Sequence, residues 1–121
     1  MGEETGGLHD APVTGVEERA GAFVVRLAGE LDLYNAHIVR EQLFAAAARA
    51  PERLIVDLGA VTFIDSTGLG VLIEARSRLP NRRSLLLVSP GLETRRALEI
   101  SGLDRHFGVH DSLDAALAAP V

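Results

Sequence analysis

Cysteine is absent from this sequence, and so is lysine; all 12 basic residues are arginine. Without cysteine there is no disulfide, thiolate metal site, iron–sulfur cluster or thiol nucleophile. Without lysine there is no phosphate-loop NTPase of the usual kind, no Schiff-base enzyme and no Ser–Lys hydrolase. No apolar run reaches the roughly 18 residues that a membrane span requires. The stretch Met1–Gly7 has neither the positive flank nor the apolar segment of a signal peptide, and Gly6 stands where a myristoylation pattern wants Ser or Thr. These absences predict a soluble, cytoplasmic protein without membrane contact. Basic residues are outnumbered 12 to 17 by acidic ones, a net charge of -5, which argues against direct nucleic-acid binding.

What is present is globular in kind. The chain has 121 residues, 47% hydrophobic and 24% charged, enough for one domain with one core. Residues 1–12 are polar and Gly-rich and read as a flexible tail, leaving a domain over 13–119. Thr14–Glu17 and Phe23–Ala28 read as two strands of an antiparallel hairpin, turning across Glu18–Gly21 and closed by Gly29. A helix is predicted from Asn35 to Ala50 on the spacing of Ala36, Val39, Leu43, Ala46, Ala47 and Ala50, with Asp32 or Asn35 as cap and Pro51 as stop. Leu54–Leu58 reads as a buried strand. A second helix over Thr67–Leu79 carries a stripe of Leu69, Leu72, Ile73, Arg76 and Leu79. Ser84–Val88 is another buried strand. Ser89 and Pro90 look like the cap and first residue of a third helix that Gly102 ends. Phe107–His110 is a last short strand, and Asp111 or Ser112 caps a final helix bearing Leu113 and Leu117. The alternation predicts an α/β fold: a mixed sheet, mostly parallel, with an antiparallel N-terminal edge hairpin and about four flanking helices.

The segment richest in chemistry is Phe63-Ile64-Asp65-Ser66-Thr67-Gly68-Leu69-Gly70. An apolar edge ends at Asp65, a hydroxyl follows and a helix begins; loops of this kind at strand ends are where α/β sheets meet ligands. The plain reading makes Ser66 a helix cap and nothing more. Against it stand Gly68 and Gly70, each costing a helix roughly 1 kcal/mol relative to Ala. They leave either a flat backbone surface that another protein can approach or a close contact with the chain's own sheet. Enzyme readings fail on spacing. A dinucleotide fingerprint wants glycine at Ile73, and a nucleophile elbow wants glycine at Ile64. Asp65-Ser66-Thr67-Gly68 has one residue too many for an aspartic protease.

Gly29-Glu30-Leu31-Asp32 reads as a turn and cap, or as a second piece of the Ser66 surface, since both sit where strands give way to helices. His106 and His110 could share one face of a strand, but nothing nearby completes a metal site, so none is expected. Arg82-Arg83 and Arg95-Arg96 read as solvated faces, and Glu74 with Arg78 as an i, i+4 pair.

Gly29-Glu30-Leu31-Asp32, then Phe63 to Gly70, then Ser89-Pro90, then Ser101-Gly102-Leu103 together resemble bacterial anti-sigma factor antagonists, single STAS domains (sulfate transporter and anti-sigma factor antagonist). The resemblance covers about residues 13–119, and Asp65 to Gly70 is its specific part. It implies a STAS-type fold, no enzymatic activity and no cofactor. It implies that Ser66 is a regulatory phosphorylation site and that Asp32, Asp65, Ser66, Thr67, Gly68, Leu69 and Gly70 meet a partner. That partner is an anti-sigma factor serine kinase with the ATP-binding GHKL-type fold, opposed by a serine phosphatase; the unphosphorylated antagonist captures it and frees the sigma factor. Thr67 stands where many members have a second serine, a possible second acceptor. The loop Pro80–Arg83 lacks the glycine often found there. A different STAS role, an unphosphorylated subunit of a lipid-transport ABC ATPase complex, is the alternative the resemblance leaves open. A serine hydrolase is a more distant one.

Overall fold

In a computed structural model that describes residues 11–121, the strands β1 (Val13–Arg19), β2 (Ala22–Leu31), β3 (Arg53–Ile64), β4 (Leu85–Val88) and β5 (Gly108–His110) lie side by side in sequence order. The pair β1–β2 is antiparallel and every other pair is parallel. The helices are α1 (Ala36–Ala48), α2 (Ser66–Ser77), α3 (Leu92–Ser101) and α4 (Leu113–Ala118). Residues 1–10 of the expected tail lie outside the described residues. Pro12, placed in that tail by the sequence, is buried, and its carbonyl accepts a hydrogen bond from the Ala28 N–H at 2.9 Å.

The layering follows from the strand order. Right-handed crossovers that all step in one direction must place their helices on one face. Accordingly α1, α2 and α3 pack together on one side, over Val25, Leu27, Leu54, Val56, Leu58, Leu85 and Leu87. The opposite side (Val24, Ile55, Leu86 and Val88) is covered by the single short α4 through Ala116. Both faces are buried at the centre, which is why these strands read as continuous apolar runs.

Several boundaries differ from the sequence expectation. The hairpin turn is only two residues, Ala20 and Gly21, both at positive φ (52° and 83°), the geometry that suits the twist of paired strands. β3 has 12 residues rather than the five predicted. Its partner β4 stops at Val88, opposite Asp57, but β3 continues beside β2 alone to Ile64. The stretch from Gly59 to Phe63 is mostly exposed, so it lacked the apolar signature of a buried strand. In α2 the buried stripe is Gly68, Val71, Leu72 and Ala75, continued by Leu79 beyond the helix end; Ile73 is 45% exposed and does not belong to it. α3 starts at Leu92 with Gly91 at its cap, not at Ser89-Pro90, because Ser89 is held in the left-handed region at φ 57°. Gly102 ends α3 at φ 78°, and Ser112 caps α4 by accepting from the Ala115 N–H, both as expected.

Candidate functional site

The two-stranded extension of β2 and β3 assembles the site. Leu31 is in register with Ile64, and the Asp65 N–H donates to the Leu31 carbonyl at 3.0 Å. Asp32 and Asp65 therefore leave the sheet side by side, each at the entrance to a helix. The sequence expected Asp32 and Ser66 on one surface; the pairing sets Asp32 beside Asp65, the residue before Ser66.

At the start of α2 the cap is Asp65, whose Oδ1 accepts from the Gly68 N–H at 2.9 Å. Ser66 is the first helical residue, and its exposed hydroxyl is not spent on capping. The plain reading of Ser66 as a cap is thereby replaced: the neighbouring carboxylate does that work, and does it well because its charge suits the positive end of the helix dipole. The residues Ser66, Leu69, Gly70 and Ile73 follow at i, i+3, i+4 and i+7, so they form one outward stripe.

The two glycines separate. A Cβ on Gly68 would lie 2.8 Å from Ile64 Cγ1 and 3.2 Å from both the Cβ and the carbonyl oxygen of Leu31. Gly68 is buried, so it lets the helix sit close to its own sheet and does not itself reach the surface. A Cβ on Gly70 would meet nothing within 4 Å. The open backbone expected beside Ser66 is thus supplied by Gly70. Leu69 is half-buried against the core, and Thr67 is also half-buried.

Asp32 is fixed by a reciprocal turn. Its Oδ1 accepts from the N–H groups of Tyr34 (3.0 Å) and Asn35 (3.3 Å), and its own N–H donates to Asn35 Oδ1 at 2.9 Å. Asn35 occupies the cap position of α1, but its side chain turns back to Asp32 and to the Glu30 carbonyl. Around this turn the sequence reading missed a set of exposed apolar side chains: Leu33 (66%), Tyr34 (85%), Ile38 (37%) and Phe63 (49%). A shallow depression is lined by two of them, Tyr34 and Ile38, with Glu30, Asp32 and Thr62 also in its wall. Their signal in the sequence is that they are large apolar residues at positions that break the helix and strand periods.

Other residues singled out earlier lie elsewhere. Ser89 is half-buried; its N–H donates to the His110 carbonyl and its hydroxyl to the Asp111 carbonyl at 3.0 Å. Glu74 does not pair with Arg78. It bonds Arg40 of α1 at 3.1 Å, and the Arg78 guanidinium lies over the Phe44 ring at 4.3 Å. Arg95 pairs with Asp111 and Arg96 with Glu93 at the surface, which agrees with the solvated face read from the sequence. His106 precedes β5 rather than lying on it, so it does not share a strand with His110. Among the described residues no group of three or more His, Asp or Glu could hold a metal ion, and no helix is long and apolar enough to cross a membrane. Far from the site, the Arg26 hydrogen bond, aided by Arg19, holds the Glu17 carboxyl below its ordinary range.

Comparison with known proteins adds four findings. The STAS domain family matches residues 14–116. The anti-sigma-F factor antagonist RsfB of Mycobacterium tuberculosis is 32% identical over 108 residues, covering 89% of this chain and 88% of that one. An anti-sigma factor antagonist from Mycobacterium paratuberculosis, known from its crystal structure, superposes with a TM-score of 0.82 at 34% identity, over 89% of this chain and 93% of the other. The same fold recurs in the Bacillus cell fate determinant SpoIIAA, solved in its phosphorylated form, with a TM-score of 0.64 at 24% identity over 85% of this chain and 95% of that one.

Proposed function

The chain belongs to the STAS domain family, and from that premise we propose that it is a cytoplasmic anti-sigma factor antagonist switched by phosphorylation at Ser66. In this reading the unphosphorylated protein binds an anti-sigma factor kinase of the ATP-binding GHKL type across Asp32, Asp65, Ser66 and Gly70. Binding frees a sigma factor, and a serine phosphatase restores the modified protein. Its role is binding, not turnover.

The observation that carries the reading is the division of labour at the start of α2. Asp65 takes the cap, which leaves the Ser66 hydroxyl exposed beside the open backbone of Gly70. A kinase needs such a hydroxyl. A phosphate there brings about -1.5 to -2 charges. The helix N-terminus favours that charge by about 0.3–1 kcal/mol, and the neighbouring Asp65 opposes it. The two effects offset one another, so the fold survives. At an interface no such offset exists, and a dianion pressed against a partner's acidic or backbone groups costs several kcal/mol. A loss of about 3–4 kcal/mol weakens binding several-hundred-fold, enough for release.

The test is a pull-down with wild type and Ser66→Asp side by side, followed by phosphate mapping after incubation of the wild type with ATP and the retrieved protein. Expected are capture of a kinase-fold regulator by wild type only, and label on Ser66 that Ser66→Ala abolishes. Retrieval of an ABC ATPase equally by both variants would overturn the reading, as would label that persists in Ser66→Ala.

A further inference from the structure

The C-terminal half of α2 and the turn that precedes β5 enclose a small groove of about 280 Å³, lined by Ile73, Arg76, Leu103, His106 and Phe107. It differs in chemistry from the depression beside Asp32. That depression has Glu30 and Asp32 in its wall, whereas no carboxylate lines this groove. Its floor is apolar, and its charged group is Arg76, whose guanidinium lies 5.7 Å from the centre of the Phe107 ring. Arg76 has an Nε that is buried without a hydrogen-bond partner. That donor is closed to the outside, but Arg76 as a whole is half-buried, so the open part of its guanidinium can meet an acceptor entering the groove. Ile73, 45% exposed, extends the apolar surface outward. Asp104, on the adjoining turn, is exposed and outside the lining.

We propose that this groove is a second docking element, which takes an apolar side chain followed by a carboxylate from an acidic segment of the protein partner that engages Ser66. The choice of an acidic occupant rests on charge: in a chain of net charge -5, this lining presents Arg76 and no acid. The identity of the partner rests on the reading of Ser66 given above; the chemistry of the groove does not.

Position gives the element its regulatory meaning. Ile73 follows Ser66 by seven residues on the outward stripe of α2, about 10 Å along the helix axis. That is about one Debye length at physiological salt, so a phosphate on Ser66 alters binding in the groove by only a few-fold. The groove therefore contributes affinity to both phosphorylation states that is equal to within a few-fold, and Ser66 decides between them.

The experiment titrates the full-length, isotope-labelled protein with the peptide acetyl-Glu-Leu-Leu-Glu-Asp-amide, and with a control in which lysine replaces each acid, while amide resonances are followed. Expected are saturable shifts at Ile73, Arg76, Leu103 and Phe107 with the acidic peptide, at least fivefold weaker with the control. Arg76→Gln should lower the affinity about tenfold. Ile73→Asp, a change at an exposed position, should do the same if Arg76→Gln compromises folding. No saturation at millimolar peptide, equal response to both peptides, or shifts centred on residues 30–35 would overturn the groove. So would concentration-dependent shifts of these resonances without peptide, which would mean that a second copy occupies it. In the peptide titration, Arg76→Gln should lower the affinity by the same factor in the wild-type and Ser66→Asp backgrounds; a factor that differs more than fivefold between backgrounds overturns the independence. If Ser66→Asp alone changes nothing, the reading of Ser66 fails, and the peptide titration still decides the groove.

Discussion

Ser66 and Ser89 both stand between the end of a parallel strand and the start of a helix, yet the fold uses them in opposite ways. At Ser66 a preceding aspartate caps the helix, the backbone is helical, and the hydroxyl faces solvent. At Ser89 the backbone is forced to φ 57°, and the hydroxyl is consumed in binding the Asp111 carbonyl across to the next loop. One loop spends its polar side chain on architecture, and the other keeps it in reserve. The difference lies in what precedes the serine. Asp65 supplies a second acceptor at the first site, and Val88 supplies none at the second.

The largest expected effect that would sharpen this contrast is on binding. Ser66→Asp should weaken capture of the anti-sigma factor by a hundredfold or more, about 3 kcal/mol, with an unchanged circular dichroism spectrum. Ser89→Gly should leave capture within twofold of wild type, as read by the same pull-down or by calorimetry. Equal losses in the two variants would break the comparison.

Next come the two glycines beside Ser66. Gly68→Ala should destabilise the domain by about 1–3 kcal/mol, because its new methyl meets Ile64 and Leu31 at overlapping distances. Gly70→Ala should stabilise it by up to about 1 kcal/mol, because the helix gains propensity and nothing is displaced. Urea unfolding of the pair should therefore show midpoints on opposite sides of wild type. A shift of both in one direction would contradict the separate roles assigned to them.

Asp65→Ala should cost about 1 kcal/mol through the lost cap, and Asp65→Asn should restore most of it. Failure of Asn to rescue would mean that charge, not capping, is what Asp65 supplies. Ser89→Gly should be close to neutral in stability: glycine relieves the left-handed strain of about 1 kcal/mol, but loses a hydrogen bond of similar worth. Thermal denaturation separates these outcomes.

The smallest effect lies away from both loops and serves as their control. Glu17 has a folded-state pKa depressed below 4.5 by Arg26, so its contribution is present above that value and is lost as pH falls through the folded pKa. Arg26→Met should bring the Glu17 titration, followed by carboxyl resonances, back up toward the ordinary range while leaving Ser66 phosphorylation unchanged.

Much of this architecture was legible in the residues. Leu54–Leu58 and Ser84–Val88 read as buried strands because both of their faces are covered, and Gly102 read as a helix end because it alone could take φ 78° there without strain. What escaped was what depends on distant neighbours. The exposed end of β3 has no apolar period, since only β2 lies beside it. Glu74 took a partner from α1 rather than from its own helix because the helices pack within reach of its side chain. Ser89 resembled a cap, but the loop after β5 claimed its hydroxyl. At the site, Asp32, Asp65 and Ser66 could be named from sequence. The burial of Gly68, the openness of Gly70 and the apolar collar of Leu33, Tyr34, Ile38 and Phe63 required the third dimension.

From Gly59 to Ile64 the third strand runs on past its shorter neighbour, with β2 as its only companion. The end of the molecule that carries Asp32 and Ser66 is thus cantilevered from the centre of the sheet, anchored by the buried Val61 and Ile64. On the reading proposed above, replacing the exposed Thr62 and Phe63 along this overhang would retune which protein is gripped without loosening the hydrophobic masonry beneath. A lineage that duplicates such a domain inherits a ready means of insulating one signalling circuit from the next.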